Sequence, residues 1–329
     1  MEEVARSPVA GKDYPRTWSE FMDWFASEQA CAGYLEKLRW PQGFVCSECG
    51  VIAPAYRASR GRLMCRACRH QTSVSAGTIF EKTRTPLRMW FAAAWYLTNQ
   101  KQGVSALGLQ RVLGIGSYET AWAMLHRLRR AMVRPERAAL NGEVEIDETY
   151  LAITERKMPV SPVRRQSHTT QTLVAVAVER LSPKGFGRVR LRRLLGSSEQ
   201  YLLPFIEQSV AAGTRVHTDG SAAYRCLAER GYDHRPTVLL GAKRRAHELL
   251  PGVHRVAALL QRWILGTHHG AVQPGHLDDY LDEFVFRFNR RSSRSRGLLF
   301  YRLMQQAVAT DPITYSNLIH PLPIVHIMA

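Results

Sequence analysis

Two C-x2-C pairs, Cys46-Ser47-Glu48-Cys49 and Cys65-Arg66-Ala67-Cys68, constrain this sequence more than any other feature. Fifteen residues separate them, the spacing of a four-cysteine zinc site in which two knuckles close a tetrahedron of thiolates. So short a segment builds little core of its own, and bound Zn2+ is expected to replace it. Gly50, after the second cysteine, admits the tight knuckle turn. A redox C-x2-C or coincidence would give one pair; the matched spacing of two argues against both. The predicted zinc ribbon spans 41–75. Arg57, Arg60, Arg62, Arg66, Arg69 and His70 crowd it, either as phosphate contacts or as an ordinary solvated basic face. Four of the six cysteines sit in these pairs, which fits a reducing compartment; Cys31 and Cys226 read as buried thiols.

The charge balance points to a polyanion. Lys and Arg exceed Asp and Glu by 17, as suits nucleic acid or an anionic membrane. No apolar run approaches membrane-spanning length, and the N-terminus lacks a signal-peptide pattern, so a cytoplasmic, nucleoid-associated protein is expected. Ahead of the ribbon, residues 1–40 form a helical segment with Phe21, Trp24, Phe25, Tyr34 and Leu35 on apolar faces, ended by Trp40-Pro41. Behind it, 84–135 reads as three helices. Pro86 opens the first, 104 to 113 is the second, Gly114-Ile115-Gly116-Ser117 turns the chain, and Ser117 caps a third running to Met132. His126, Arg127, Arg129 and Arg130 are expected off its apolar stripe. A basic second helix after a glycine turn fits a helix-turn-helix-like DNA-binding domain; a plain three-helix bundle gives the same pattern. The neighbouring modules favour the DNA-reading version.

A third module follows over 142–295. In Glu145-Ile146-Asp147-Glu148-Thr149-Tyr150, apolar Val144 and Ile146 alternate with acidic Glu145 and Asp147, the period of a strand with one polar face. Alone, this hexapeptide reads more readily as a solvated acidic strand end; its company elsewhere in the chain changes that. A basic loop is expected over 155–170, then a doubly buried strand over 171–179, a hairpin at Pro183-Lys184-Gly185, an alternating strand over 188–192 and a helix over 201–210. A fourth strand ends in Asp219-Gly220. Strands, helix, strand and further helices match the order of a ribonuclease-H-like α/β fold. There the first and fourth strands are neighbours, bringing Asp147 to Asp219 across 72 positions. Two such carboxylates suit hard divalent ions and two-metal phosphoryl chemistry.

No carboxylate occupies the next expected position. His254 lies near the start of a predicted helix over 250–265, with Gln261 two turns along the same face. Neutral imidazole ligates divalent metal, suiting Mn2+ or softer ions better than Mg2+. Glu248 and Glu283 are the alternatives, Glu283 falling off its helix's apolar stripe as a surface charge. Arg287, Asn289, Arg290, Arg291, Arg294 and Arg296 supply a basic run for backbone phosphates. Residues 297–329 are a tail without assignment.

These residues together resemble a bacterial insertion-sequence transposase of the DDE superfamily, in the group with an ISXO-type domain behind a zinc ribbon. The resemblance covers about 20 to 295 and rests on Arg39-Trp40-Pro41, 145–150 and 216–220. It is most specific in Pro251-Gly252-Val253-His254, Arg262-Trp263, 265–270 and 280–291. It implies a metal-dependent polynucleotidyl transferase that cuts at terminal inverted repeats and joins the ends to target DNA. Asp147 and Asp219 would be its first two catalytic acids, with His254 in the variable third place and Mg2+ or Mn2+ as catalytic metal. Gln261 replaces the usual DNA-contacting lysine. Arg127, Arg129, Arg130, Gln261, Arg262, Arg290 and Arg291 are the expected DNA contacts. The partners implied are double-stranded transposon ends, target DNA and further copies of the chain. A decayed or co-opted transposase that binds DNA without cutting, and a nuclease of the same fold, are the alternatives.

Overall fold

The computed structural model describes residues 7–134, 137–156, 167–237 and 246–320, which fall into two compact units. One contains the described residues up to Arg134 together with those from Ser293 on; the other runs to Ser292.

The first unit opens with α1 (Trp18–Trp24) and α2 (Glu28–Arg39), capped by Thr17 and Ser27, whose side chains accept the Glu20 and Ala30 amides. Three two-residue strands follow, β1 (Tyr56–Arg57), β2 (Leu63–Met64) and β3 (Gln71–Thr72), in one antiparallel sheet. Their core is no more than Phe44, Cys46, Leu63 and Cys65, flanked by Trp40 and Ala55. Then come α3 (Leu87–Asn99), α4 (Ala106–Leu113) and α5 (Tyr118–Arg130). Ser105 and Ser117 cap α4 and α5, and Gly114 ends α4 at φ 64°, a conformation that favours glycine. The three helices predicted over 84–135 are therefore present.

The second unit is a sheet with helices on both faces. Its elements are β4 (Glu143–Arg156), β5 (Ser167–Arg180), β6 (Phe186–Leu194), α6 (Glu199–Ser209), β7 (Arg215–Thr218), β8 (Asp233–Pro236), α7 (Ala246–Leu249), α8 (Pro251–His268) and α9 (Leu277–Phe288). Strand order is β6-β5-β4-β7-β8; β4 to β6 are antiparallel, while β7 runs parallel to β4 and β8 parallel to β7. This is the expected ribonuclease-H-like arrangement, with β4 and β7 adjacent. Alternation along β4 divides the core. Val144 and Ile146 pack with Leu202, Phe205, Val216 and Tyr224 on one face. Leu151 and Ile153 pack with Val253, Val256, Leu260 and Phe284 on the other. Where a basic loop was expected over 155–170, the strands extend through Arg156 and from Ser167 onward; Lys157, Arg164 and Arg165 lie outside the described residues.

The described part of the tail without assignment in sequence, to residue 320, is largely helical and belongs to the first unit. Within it α10 (Arg296–Ala307) inserts Phe300 among Phe21, Phe25, Phe91 and Trp95, edge-on or tilted at 5.6–5.8 Å. A short α11 (Tyr315–Ile319) follows. No helix among the described residues is long and apolar enough to cross a membrane.

Candidate active site and metal centres

The cysteine site is already gathered. Cys46 Sγ lies 3.6 Å from Cys68 Sγ, and Cys49 Sγ 3.6 Å from Cys65 Sγ. All four sulfurs lie within 4.8 Å of one another. A zinc tetrahedron with Zn–S of about 2.3 Å has edges of about 3.8 Å, so the donor set fits the ion. The amides of Cys68 and Ala67 favour the Cys65 thiolate and bring its pKa down to about 6. On the same small sheet Tyr56 is stacked by the guanidinium groups of Arg66 and Arg69, 4.7 and 5.6 Å from its ring centre. Arg57 is taken up by a two-point contact with Glu36 at 2.7 and 3.0 Å.

The carboxylate site is built by the parallel β4–β7 pair. Glu143, Val144 and Glu145 lie level with Arg215, Val216 and His217. Carried two residues further, that register sets Asp147 beside Asp219, just beyond the end of β7. Asp147 Oδ1 accepts the Glu148 amide at 2.8 Å. Asp219 Oδ1 accepts the Ser221 amide at 2.9 Å, a side-chain turn completed by Gly220 at φ 82°. Burial raises the Asp147 carboxyl above its ordinary range; the Glu148 amide opposes that, and the Asp219 charge adds to it.

His254 sits one turn into α8, near enough to Asp147 to oppose the rise of its carboxyl. Its Nε2 is buried with no hydrogen-bond partner among the described residues, which in a polar site leaves a lone pair or proton to be satisfied by an incoming group. Two carboxylates and an unengaged imidazole form a donor set suited to a divalent ion such as Mn2+. The three do not draw all their donor atoms within 4.8 Å of one another, as the cysteines do. Ligands shared by two ions about 4 Å apart need not do so. Gln261 is exposed on the same helix and donates to the Tyr150 carbonyl at 3.3 Å.

Several expected roles change once side chains are in place. Glu283, expected on the surface, is fully buried, with Arg287 3.6 Å away. Glu248 is exposed. In α5, His126 and Arg129 do not lie off the apolar stripe: both are buried, and Arg129 donates to the Val104 carbonyl at 3.4 Å. Arg127 donates to the Ile313 carbonyl at 3.0 and 3.2 Å; Arg130 is the exposed arginine of this helix. Arg290 stacks on Phe286 at 4.0 Å and bonds its carbonyl. Arg291 stacks on Phe288 at 4.1 Å and donates to the Phe186, Gly187 and Phe288 carbonyls. Arg291 thus fastens the end of α9 to the start of β6, while Arg290 folds back on that helix; Arg262 is exposed. Cys31 is buried as expected, whereas Cys226 is only partly so.

Two neighbours of the site were not legible as such. Glu148 points to the face opposite Asp147, where the Tyr224 hydroxyl donates to it at 2.7 Å. Burial brings its pKa to about 7; the Tyr224 bond works against that rise, and the charges of Asp147 and Asp219 add to it. Glu145 is fully buried under α8, on the same face as Asp147. The period-two pattern does carry that signal, because it puts both acids on one side of the strand.

Comparison with known proteins gives consistent matches. Residues 139–289 match the family model described as an ISXO2-like transposase domain, and residues 26–71 match one described as a transposase zinc-ribbon domain. An uncharacterized protein in transposable element ISH50 of Halobacterium salinarum is 28% identical over 279 residues, covering 80% of this chain and 91% of that relative. Among solved structures, the Mos1 strand transfer complex is 14% identical with a TM-score of 0.27, covering 67% of this chain and 75% of that one. The Mos1 transposase paired-end complex with the left transposon end is 12% identical with a TM-score of 0.28 and the same coverage.

Proposed function

We infer from the two matched modules, an ISXO2-like transposase domain over 139–289 and a transposase zinc ribbon over 26–71, that this chain is an insertion-sequence transposase. From that premise we propose that it binds the terminal inverted repeats of its element, cuts them and joins the freed ends to target DNA. The observation that carries this reading is the meeting of Asp147, within β4, and Asp219, just past the end of the parallel strand β7, with the buried Nε2 of His254 on α8.

In this reading Asp147, Asp219 and His254 hold the catalytic Mg2+ or Mn2+, and Cys46, Cys49, Cys65 and Cys68 hold structural Zn2+. Bound divalent ions activate the attacking oxygen and stabilise the leaving one. Cleavage is an in-line displacement in which water attacks the phosphodiester and a 3′-hydroxyl departs. In joining, that 3′-hydroxyl attacks a target phosphodiester, so one bond forms as another breaks. The Asp219 side-chain turn and the Asp147 contact with the Glu148 amide fix the two carboxylates before DNA arrives.

The ribbon and the α3–α5 helices grip the repeat. The exposed first turn of α5 (Tyr118, Glu119 and Thr120), with Arg111 of α4, is the helix-turn-helix reading face, and Arg130 a phosphate contact. Assembly of two ends calls for more than one copy of the chain. Joining of a labelled terminal-repeat duplex to a plasmid is the direct test. Covalent joined products support the transposase; cutting without joining identifies a nuclease. Binding with neither identifies a DNA-binding relic, in which His254 and Gln261 would mark a lost ligand and a lost DNA contact.

A further inference from the structure

We propose that Glu145 is a positioning residue for the catalytic metal site: from β4 it clamps the first turn of α8 and thereby sets His254 against Asp147. This rests on the reading of Asp147 and His254 as metal ligands.

The clamp is visible in its atoms. Leu250, at the N-terminal boundary of α8, offers no side-chain cap. Glu145 supplies one from another element: its Oε2 accepts the Gly252 amide at 2.6 Å and the Val253 amide at 3.1 Å. These amides belong to the positive end of an 18-residue helix, where a carboxylate is stabilised by both hydrogen bonds and dipole. Its other oxygen lies 3.4 Å from Arg180 Nε. Glu145 is 0% exposed. A carboxylate so deeply buried is costly unless compensated, and the helix end supplies the main compensation.

The close approach depends on Gly252. A Cβ there would lie 2.8 Å from Glu145 Oε2, 2.8 Å from Val178 Cγ1 and 3.0 Å from the Phe186 ring. With no side chain between them, the backbone of α8 sits directly on the sheet. From this fixed point the ligands follow at equal steps: Asp147 is two residues along β4 on the same face, and His254 two residues along α8. A shift of the helix end therefore moves His254 relative to Asp147. Glu145 acts here as a clamp: one oxygen is occupied by two amides, and the other, though it makes no hydrogen bond among the described residues, is paired with the Arg180 guanidinium. The role is that of an outer residue which orients a metal ligand, a class whose loss weakens metal affinity by about 10- to 100-fold.

The test measures Mn2+ binding to the zinc-loaded full chain, by the electron paramagnetic resonance signal of free Mn2+. Variants are Glu145→Gln and Gly252→Ala, each alone and combined with His254→Ala. Glu179→Gln, which alters a buried carboxylate on β5 that shares the face of Val144, opposite the α8 amides, serves as the stability control, with thermal melts for all. Glu145→Gln and Gly252→Ala are each expected to weaken Mn2+ binding about 10- to 100-fold. Neither should cause further loss once His254 is alanine, and Glu179→Gln should leave affinity unchanged. If Glu145→Gln does not fold, Gly252→Ala, which keeps every charge, carries the same expectation. Undiminished affinity in a folded variant, or an equal loss without His254, would overturn the proposal while leaving the metal site intact. If wild-type Mn2+ binding does not depend on Asp147 and His254, the underlying function reading fails and the positioning role goes with it.

Discussion

Replacing Cys65 by serine is expected to strip zinc from the ribbon and unfold it, leaving the catalytic unit folded. The magnitude follows from how little else holds the ribbon. Its core is Phe44 and Leu63 plus two of the cysteines themselves, and each of its strands is two residues long. Full burial of Phe44 and Leu63 contributes about 1.5–3 kcal/mol each. A structural zinc site contributes about 10–16 kcal/mol at neutral pH, so metal binding dominates. Serine does not offer a thiolate, and its loss removes the sulfur best stabilised by neighbouring amides. Zinc content and limited trypsin digestion provide the assay, since Arg57, Arg60, Arg62, Arg66 and Arg69 are cleavage sites within the ribbon. Digestion should open at these sites in Cys65→Ser, and equally in wild type after chelation, while 139–289 resists. Unchanged zinc content, or undiminished protection after chelation, would refute the argument.

Two further outcomes are expected. Glu179 is buried, which by itself raises its pKa, but bonds from Arg188, with its side chain at 2.6 Å, and from the Arg188 and Asn141 amides outweigh that and hold it below its usual range. Its stabilising contribution is thus complete above the unfolded-state value of about 4.3 and is lost as pH falls through the folded value. Glu179→Gln should cost about 2 kcal/mol at neutral pH and flatten the acid limb of a stability profile; an acid limb identical to wild type would count against this. In α5, Arg130→Ala should weaken repeat binding with little change in melting temperature. Arg129→Ala should instead destabilise the first unit by about 1–3 kcal/mol; the reverse pattern in binding and melting assays would put Arg129 on the DNA.

Much of this architecture was legible because it is written in local periods. The cysteine spacing announces the ribbon, and alternation along 144–147 announces a strand with an acidic face. The Asp219-Gly220 strand end, read with strand order, brings the two acids together. What escaped is of a different kind. Charged residues on amphipathic helices read as surface, yet Arg129 turns to the Val104 carbonyl and Arg291 to those of Phe186 and Gly187, partners that only the tertiary fold supplies, while Glu283 and Arg290 meet Arg287 and Phe286 one turn away on α9. The strand β8, Asp233–Pro236, is a polar edge without apolar alternation. The return of α10 to the first unit is a long-range pairing that local periodicity does not encode. Gly252 looked like an ordinary helix residue until Glu145 was seen beneath it.

The central claim is that Asp147, Asp219 and His254 form a catalytic metal site, and cleavage of a terminal-repeat duplex in Mg2+ and in Mn2+ tests it most directly. Wild type should cut with a preference for Mn2+, as an imidazole ligand favours. His254→Glu should move that preference toward Mg2+, and Asp147→Ala or Asp219→Ala should bind the duplex without cutting it. Cleavage that survives either alanine substitution, or a metal preference indifferent to His254→Glu, would contradict the account.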